Sequence, residues 1–426
     1  MKKIDNYNSN LINVLFFLFP LSFILGNLFI NLNVFLLSIF TFIFYFKKFT
    51  KIEINIFDKV VFIFFFYIVA TLILNYFLST FINEKAFPEI ITTKSLFFFR
   101  YLVFYLAIRT LLGLGVLRLD WFILTCTICA AFICSDIFFQ FITGKNVFGT
   151  EPGSERHYSG IFGKELIAGG YLQRFALFSF FLPFVLIKKK FSRLSIQFIF
   201  FIFFLNGILL SGNRMSLVLF VLSFFILMFL NKKVKKYFSF ILITIFLLLC
   251  LNFNFNQKFK FNVLNFYDSG KNLIDTFFVK DLRKEPLHVW QRPYVNEFNC
   301  FKHYVTNENP IFGGGLRSYR TFKGCNTHPH NYYFEIITDL GLVGLSIILF
   351  FIFLLAKRMF LKKRNLFKID TNLPDREFIP FFLIFLMEFF PLRTSGSFFS
   401  TGNATIIFLV LAVLVSLVSK KKLYKT

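Results

Sequence analysis

Charged residues are scarce in this sequence. Only 16% of its 426 residues are Asp, Glu, Lys or Arg, whereas an ordinary soluble domain carries about 25%. Hydrophobic residues make up 57% of the chain, and 74 residues are phenylalanine. A single water-soluble core cannot bury so many apolar side chains, so an ordinary globular protein is excluded. The same numbers exclude intrinsic disorder and leave a polytopic membrane protein.

Acidic residues are the scarcest of the charged types. The chain has 22 Asp and Glu against 47 Lys and Arg, which gives a net charge of +25. In a soluble protein this excess would suggest nucleic-acid binding. Here the basic residues form short clusters between apolar runs, which is typical of the cytoplasmic connections of membrane proteins. We therefore expect contact with membrane lipids and no nucleic-acid partner.

Twelve apolar runs approach the roughly 20 residues needed to cross the hydrocarbon layer. They lie near residues 11–28, 30–46, 60–83, 96–113, 121–142, 167–187, 194–210, 214–231, 237–252, 332–356, 377–392 and 403–419. The basic clusters occupy both termini and every second connection: Lys2/Lys3, Lys47/Lys48/Lys51, Arg109/Arg118, Lys188–Arg193, Lys232–Lys236, Lys357–Lys368 and Lys420–Lys425. This alternation predicts that both termini are cytoplasmic.

The runs predict an all-α integral membrane protein in three parts. Residues 1–252 contain spans 1–9, residues 253–331 form a long, partly helical extracytoplasmic loop, and residues 332–426 contain spans 10–12 and a cytoplasmic tail. The loop is basic, but long loops cross the membrane regardless of their charge. Of the 6 cysteines, only Cys300 and Cys325 lie outside the spans, and both are in this loop. In an oxidising compartment they could form a disulfide, and free thiols are the alternative.

Several arginines lie at the predicted outer ends of spans, where the bias towards cytoplasmic basic residues disfavours them. Arg214 follows a Ser-Gly-Asn turn, and Arg317 closes a Gly-Gly-Gly-Leu stretch. Because guanidinium binds phosphate through paired hydrogen bonds, such residues could together bind a lipid diphosphate. The alternative is that each contacts lipid phosphate separately. Further arginines of this kind are Arg156, Arg174 and Arg393, together with Arg100 inside span 4, where a charge is costly.

Two carboxylates lie at the same predicted depth. Glu388 is near the outer end of span 11 and Asp136 near that of span 5. Each could pair with an arginine or meet an acceptor molecule. The alternative for both is a buried hydrogen bond between helices.

Histidines mark the junction between the long loop and span 10. His330 stands at the mouth of the span, and a neutral histidine there is suited to act as general base on a hydroxyl. His328 is either a second polar contact or part of the turn at Pro329. On one continuous helix, Glu335 and Asp339 would point roughly 140° and 180° away from His330. They could orient it only if the helix begins after the histidine.

The segment His330–Gly344 resembles the signature of the O-antigen ligase and O-antigen polymerase family. That signature is His, then Asn, Ser or Gln, nine residues, Gly, two residues, and Gly, Thr or Tyr. His330, Asn331, Gly341 and Gly344 fit it. The Asn309–Gly315 stretch and the Ser-Gly-Asn-Arg turn are also similar to the family pattern. One departure is Val218, four residues after the arginine, where the family often has Leu.

The resemblance implies a membrane-embedded glycosyltransferase of the C type fold that needs neither metal nor cofactor. It implies transfer of a glycan from undecaprenyl diphosphate to a lipid or glycan acceptor, at the periplasmic face of a bacterial inner membrane. His330 would be the base, with Arg214 and Arg317 binding the diphosphate and Arg156, Arg174 and Arg393 as lesser candidates. The external loops lack an Asp-x-Asp motif, so a metal-bound diphosphate is not expected.

Three functions remain open at this point. A ligase with a lipid A-core acceptor is favoured over a polymerase by the span count and the histidine motif, although both share the donor chemistry. A transporter or flippase of lipid-linked sugars would place charges near the bilayer midplane and show paired, interrupted repeats. The sequence does not predict the donor glycan, the acceptor sugar, the linkage formed or the oligomeric state.

Overall fold

The fold is all-helical in the residues that the structure, a computed structural model, describes. These are residues 2–49, 52–82, 87–153, 157–186, 190–230, 238–261, 263–264, 267–268, 300–302, 305, 309–321, 328–366, 373–393 and 396–419. No β-strand occurs among them, which agrees with the predicted class. Most of the predicted loop 253–331 lies outside this set, so the division into three parts stays a prediction.

The helices follow one another with short connections. The first seven are α1 (Lys2–Phe17), α2 (Phe19–Leu25), α3 (Asn27–Phe49), α4 (Ile56–Phe77), α5 (Glu89–Phe98), α6 (Arg100–Gly113) and α7 (Leu119–Thr143). They are followed by α8 (Ala168–Ser179), α9 (Leu182–Leu186), α10 (Lys190–Leu210), α11 (Arg214–Leu230), α12 (Phe238–Phe255), α13 (Tyr332–Leu366), α14 (Leu373–Glu388) and α15 (Thr401–Val418).

A described helix lies at each of the twelve predicted span positions. Seven helical segments in the described ranges are long and apolar enough to cross a membrane, or eight if the bent pair α1–α2 is one span. The described apolar stretches of α10, α11 and α12 are shorter than a full span, and α14 contains Pro380. The chain is thus a multi-pass membrane protein, and the count of twelve spans stays a prediction.

Helix α15 forms the centre of the bundle. Every residue from Ala404 to Val418 is buried, as expected for a helix that is apolar on all sides. It packs against α3, α6 and α14, and the ring of Phe408 stacks on Tyr101 of α6 at a centroid distance of 5.9 Å. Because α15 is enclosed, groups at its two ends mark the two ends of the bundle.

An ion pair closes the end of the bundle where α15 finishes. The guanidinium of Arg109 donates Nε and Nη2 to the two carboxylate oxygens of Asp58, both at 2.9 Å. Tyr105 donates to the same carboxylate at 2.7 Å, and Arg109 also reaches Ser416 of α15 at 3.1 Å. Its side chain is fully buried. The sequence analysis counted Arg109 with the basic residues of a connection, but it lies within α6, where its buried side chain joins α4, α6 and α15.

Helix α13 is interrupted at Gly341, which has φ +66° and ψ −171°. The break frees the carbonyls of Thr338 and Asp339, and these accept from the N–H groups of Gly314 and Gly315 at 3.0 and 2.8 Å. It also frees two N–H groups beyond the glycine, which donate to the carbonyls of Pro310 and Ile311. The loop at residues 310–315 thus replaces the missing helical hydrogen bonds, as backbone in a membrane protein requires.

Candidate functional site

His330 lies just before α13 rather than within it. The helix begins at Tyr332, and the side chain of Asn331 accepts from the N–H of Tyr333 at 2.9 Å, which caps the first turn. The condition under which Glu335 and Asp339 could orient His330 is therefore met. Both carboxylates nevertheless have partners elsewhere: Glu335 accepts from Ser397 and the N–H of Phe398, and Asp339 from the N–H of Arg317.

His328 packs beside His330, with the two ring centroids 4.5 Å apart. Burial, together with the nearby His330 and Arg320, lowers the pKa of His328 to about 4. A histidine with this pKa is neutral at pH 7. The two rings therefore form a close pair in which His328 adds no positive charge next to His330.

The segment that follows His330 is bonded to the end of α14. Asn331 donates its amide to the carbonyl of Pro391 at 2.7 Å. Tyr332 donates its hydroxyl to Glu388 at 3.3 Å, and Tyr333 donates its hydroxyl to the carbonyl of Phe389 at 2.6 Å. Three consecutive side chains thus fix the start of α13, and with it the backbone next to His330.

Glu388 lies at the centre of a buried cluster with two of the predicted arginines. Arg174 of α8 binds both its carboxylate oxygens, at 2.7 and 3.0 Å. Arg393 binds the carboxylate at 2.8 Å and the carbonyl of Met387 at 3.0 Å. Glu388 is 1% exposed. Glu388 thus pairs with arginine, and because Arg174 lies on α8 and Glu388 on α14, the same contact is the buried hydrogen bond between helices that was the alternative.

Arg317 lies in the loop that docks on the break in α13, and its side chain lines a pocket. The pocket has a volume of about 460 Å³ and is shared with Arg100 of α6 and Lys94 of α5. The remaining lining residues are Glu89, Ile90, Thr93, Phe97 and Thr401. Thr401 is the first residue of α15, so the pocket lies at the end of the bundle opposite Arg109. Two guanidinium groups and one amine outnumber the single carboxylate of Glu89 in the lining, and this makes the cavity suited to an anion.

Arg100 retains hydrogen-bonding capacity in this pocket. One of its terminal nitrogens donates to the hydroxyl of Tyr101 at 3.0 Å, whereas its Nε–H is buried without a partner among the described residues. The sequence placed Arg100 within a span. The structure agrees, because α5 and α6 together form the apolar segment Glu89–Gly113, which is long enough to cross a membrane and contains Arg100 at the first turn of α6.

Lys94 and Arg320 are cations that the sequence analysis did not single out. Lys94 lies within electrostatic range of Arg317, Arg100 and Arg320, and Arg320 is also close to His328. Arg320 is thus within electrostatic range of both the histidine pair and the basic pocket. Lys94 could have been identified by the argument used for the arginines, because it also lies in a predicted outer connection.

The remaining predicted residues that the structure describes are not among those that line the basic pocket. Arg214 is the half-buried first residue of α11, and the turn before it packs on Gly169 of α8. Asp136 is 1% exposed and accepts from the N–H of Val147 at 2.8 Å, so it holds the connection after α7.

Arg156 lies outside the described residues. Cys300 is disulfide-bonded, but Cys325 lies outside the described residues and their pairing stays a prediction.

Part of the chain matches a known protein family. Residues 199–349 match the family model described as O-antigen ligase, and no curated protein matches the chain. The matched range includes Arg214, Arg317, His330 and the break at Gly341. This match confirms the resemblance of that part of the chain to the O-antigen ligase and polymerase family.

Proposed function

We propose that this protein transfers a glycan from undecaprenyl diphosphate to an acceptor hydroxyl, with His330 as general base. The observation that carries the proposal is the arrangement around Arg320, which lies within electrostatic range of His328 in the His328–His330 pair and of Lys94 in the pocket with Arg100 and Arg317. By the predicted topology, this end of the bundle faces the periplasm and the protein lies in a bacterial inner membrane.

The reaction requires a base and a place for negative charge. His330 takes the proton of the acceptor hydroxyl while the oxygen attacks the anomeric carbon of the donor. The bond between that carbon and the diphosphate oxygen breaks, and the diphosphate leaves with the bonding electrons. Fixed cations stabilise this developing charge, which is the largest contribution in many transferases. Arg317, Arg100 and Lys94 are suited to this part because they surround a cavity large enough for two phosphates.

The remaining arginines take different parts in the proposal. Arg214 follows the turn that resembles the family pattern, and we assign it to the diphosphate together with Arg317. Arg174 and Arg393 are bound to Glu388 in a buried cluster. We assign these two to holding the start of α13, next to the proposed base, rather than to the donor.

The acceptor distinguishes ligase from polymerase. We favour the ligase, with a lipid A-core acceptor, because the family match bears that description. A lipopolysaccharide gel from a deletion strain separates the two functions. Free lipid-linked long chains are expected for a ligase, and core that carries a single repeat would support a polymerase instead.

A transporter or flippase of lipid-linked sugars is the candidate of another class. Transport sites lie near the bilayer midplane, whereas the histidine pair and the basic pocket lie at one end of the bundle. Reconstitution in liposomes tests the distinction: the proposal requires covalent transfer to acceptor on the same side as the donor.

The central test is transfer by purified protein with defined undecaprenyl-linked donor and acceptor, in the presence of a metal chelator. His330→Ala should reduce transfer by at least about 100-fold, because a general base is lost, while the protein still accumulates in the membrane. Lys94→Ala and Arg317→Ala should each reduce transfer strongly.

Lys145→Ala is a matched control for the pocket variants. Lys145 is an exposed cation in another predicted outer connection, where it contacts Glu151 at 3.9 Å. Its removal should leave transfer unchanged. Near-normal transfer by His330→Ala would refute the assignment of the base, and equal losses in Lys145→Ala and Lys94→Ala would refute the pocket.

A further inference from the structure

Asp339 is a buried carboxylate whose hydrogen bonds, in the described part of the chain, go to the loop that carries Arg317. It lies in the last turn of α13 before the break at Gly341 and is fully buried. One carboxylate oxygen accepts from the N–H of Arg317 at 2.7 Å. The other accepts from the hydroxyl of Ser318 at 3.2 Å. A carboxylate removed from water in this way is retained where its bonds have a purpose.

The backbone of Arg317 is strained. Its φ of +70° lies in the left-handed region, and no other non-glycine residue in the described ranges has a positive φ. This conformation is unfavourable for any residue with a Cβ atom. It persists only where the surroundings hold it in place, and such strain is common at functional sites. Two hydrogen bonds hold the backbone of this residue: its N–H donates to Asp339 at 2.7 Å, and its carbonyl accepts from the N–H of Arg320 at 3.0 Å.

The same turn of α13 also holds the residues before Arg317. The carbonyl of Asp339 accepts from the N–H of Gly315 at 2.8 Å, while its carboxylate accepts from the N–H of Arg317. Asp339 thus binds the loop on both sides of Leu316, which is itself fully buried. From this fixed backbone the side chain of Arg317 extends into the pocket with Lys94 and Arg100.

We infer that Asp339 is a positioning residue that holds the guanidinium of Arg317 in the pocket for the donor diphosphate. The inference rests on the proposed function, because it assumes that this pocket binds the diphosphate. Asparagine at position 339 would keep the size of the side chain but has only one acceptor oxygen. It cannot accept from both Arg317 and Ser318 in the same geometry. Arg317 would then be free to leave its strained conformation, and its side chain would leave the pocket.

The test measures binding of undecaprenyl diphosphate to the purified full-length protein, together with the kinetics of transfer. Asp339→Asn should weaken binding about tenfold, because one of the hydrogen bonds that hold the loop of Arg317 is lost. The KM for the donor should rise by a similar factor, and the KM for the acceptor should stay the same. In an Arg317→Ala background, the Asp339→Asn change should alter binding by less than about twofold, because the residue through which it acts is gone.

Tyr67→Phe is the matched control for a general loosening of the loop. The hydroxyl of Tyr67 donates to the carbonyls of Leu340 and Phe312, at 2.9 and 3.2 Å, and so joins the same helix and loop without touching Arg317. This variant should bind undecaprenyl diphosphate within about twofold of the parent protein. If Asp339→Asn does not accumulate, Ser318→Ala takes its place and should weaken binding about fivefold.

Normal binding by Asp339→Asn, or by Ser318→Ala in its place, would overturn the inference while leaving the pocket intact. Independent losses in Asp339→Asn and Arg317→Ala that multiply in the double variant would also overturn it. Normal binding by Arg317→Ala alone would instead refute the diphosphate pocket, and the inference with it.

Discussion

His328 is the residue for which the structure makes the clearest statement about protonation. Its pKa is lowered to about 4, whereas an unfolded chain protonates histidine near pH 6.5. Between these pH values the unfolded state binds more protons than the folded state. The free energy of unfolding is therefore highest above about pH 6.5, where His328 is neutral in both states, and it decreases as the pH falls towards 4.

The prediction is that the thermal midpoint of the purified protein falls between pH 6.5 and pH 4, and that His328→Gln reduces this fall. The reduction is partial, because burial beside Lys258 also lowers the pKa of His157. Thermal unfolding in detergent across this pH range is the measurement. An unchanged pH profile in His328→Gln would contradict the environment described for this ring.

At the scale of single residues, the sequence predicted those that belong to local patterns and those singled out by their depth in the membrane, such as Arg174 and Glu388. It missed others whose role depends on partners distant in the chain. His330 and Arg317 follow from motifs in which spacing along the chain is the signal. The burial of Arg109 does not, because its partner Asp58 is 51 residues away and an arginine near a span end resembles an ordinary basic connection. Arg320 could not be recognised for the same reason, since its neighbours lie on other elements.

The break in α13 requires that residue 341 has no side chain. A Cβ at Gly341 would lie 2.2 Å from the carbonyl oxygen of Ile311, and the φ of +66° disfavours any side chain. Gly341→Ala should therefore destabilise the protein by more than about 2 kcal/mol. Gly402→Ala is the control, because its Cβ would meet only Phe23 and Ile30, at 3.7 and 4.0 Å.

Thermal midpoints of the two glycine variants, measured side by side, check this prediction. Gly402→Ala should be neutral or slightly stabilising, as is usual for Gly to Ala in a helix. Equal midpoints for the two variants would mean that the loop does not pack against the break as described.

Apolar run length predicted the positions of the helices well, and it could not predict this break. The sequence of residues 332–356 predicts one continuous span. A glycine in an apolar run does not show that the helix breaks there, nor which groups hydrogen-bond to the backbone that the break frees. Those partners lie at residues 310–315, in a stretch with glycines but no helical pattern. The pairing of the two segments is a tertiary feature that becomes visible only in three dimensions.

At the scale of the whole molecule, charged side chains cluster at both ends of the bundle. The Asp58–Arg109 ion pair lies at one end and the basic pocket at the other. The network of Asp58 and Arg109 joins α4, α6 and α15. Arg109→Met should destabilise the protein by about 3–5 kcal/mol, because it leaves Asp58 buried without its ion-pair partner.

Adding Asp58→Leu to Arg109→Met should recover part of this loss, since the uncompensated charge is then removed as well. Thermal unfolding of the single and double variants is the measurement, and glycan transfer per folded molecule should stay unchanged. A single variant as stable as the parent would show that this ion pair does not hold the bundle together.

The distance between the cap at Asn331 and the break at Gly341 is set by nine helical residues. At 1.5 Å per residue they measure roughly 14 Å, and they join the proposed proton acceptor to the turn on which the phosphate-facing loop rests. One inserted or deleted residue would change this length and rotate one end against the other by about 100°. The nine-residue spacer in the family signature therefore fixes both the distance and the relative rotation between the capped start of α13 and the loop that packs on its break.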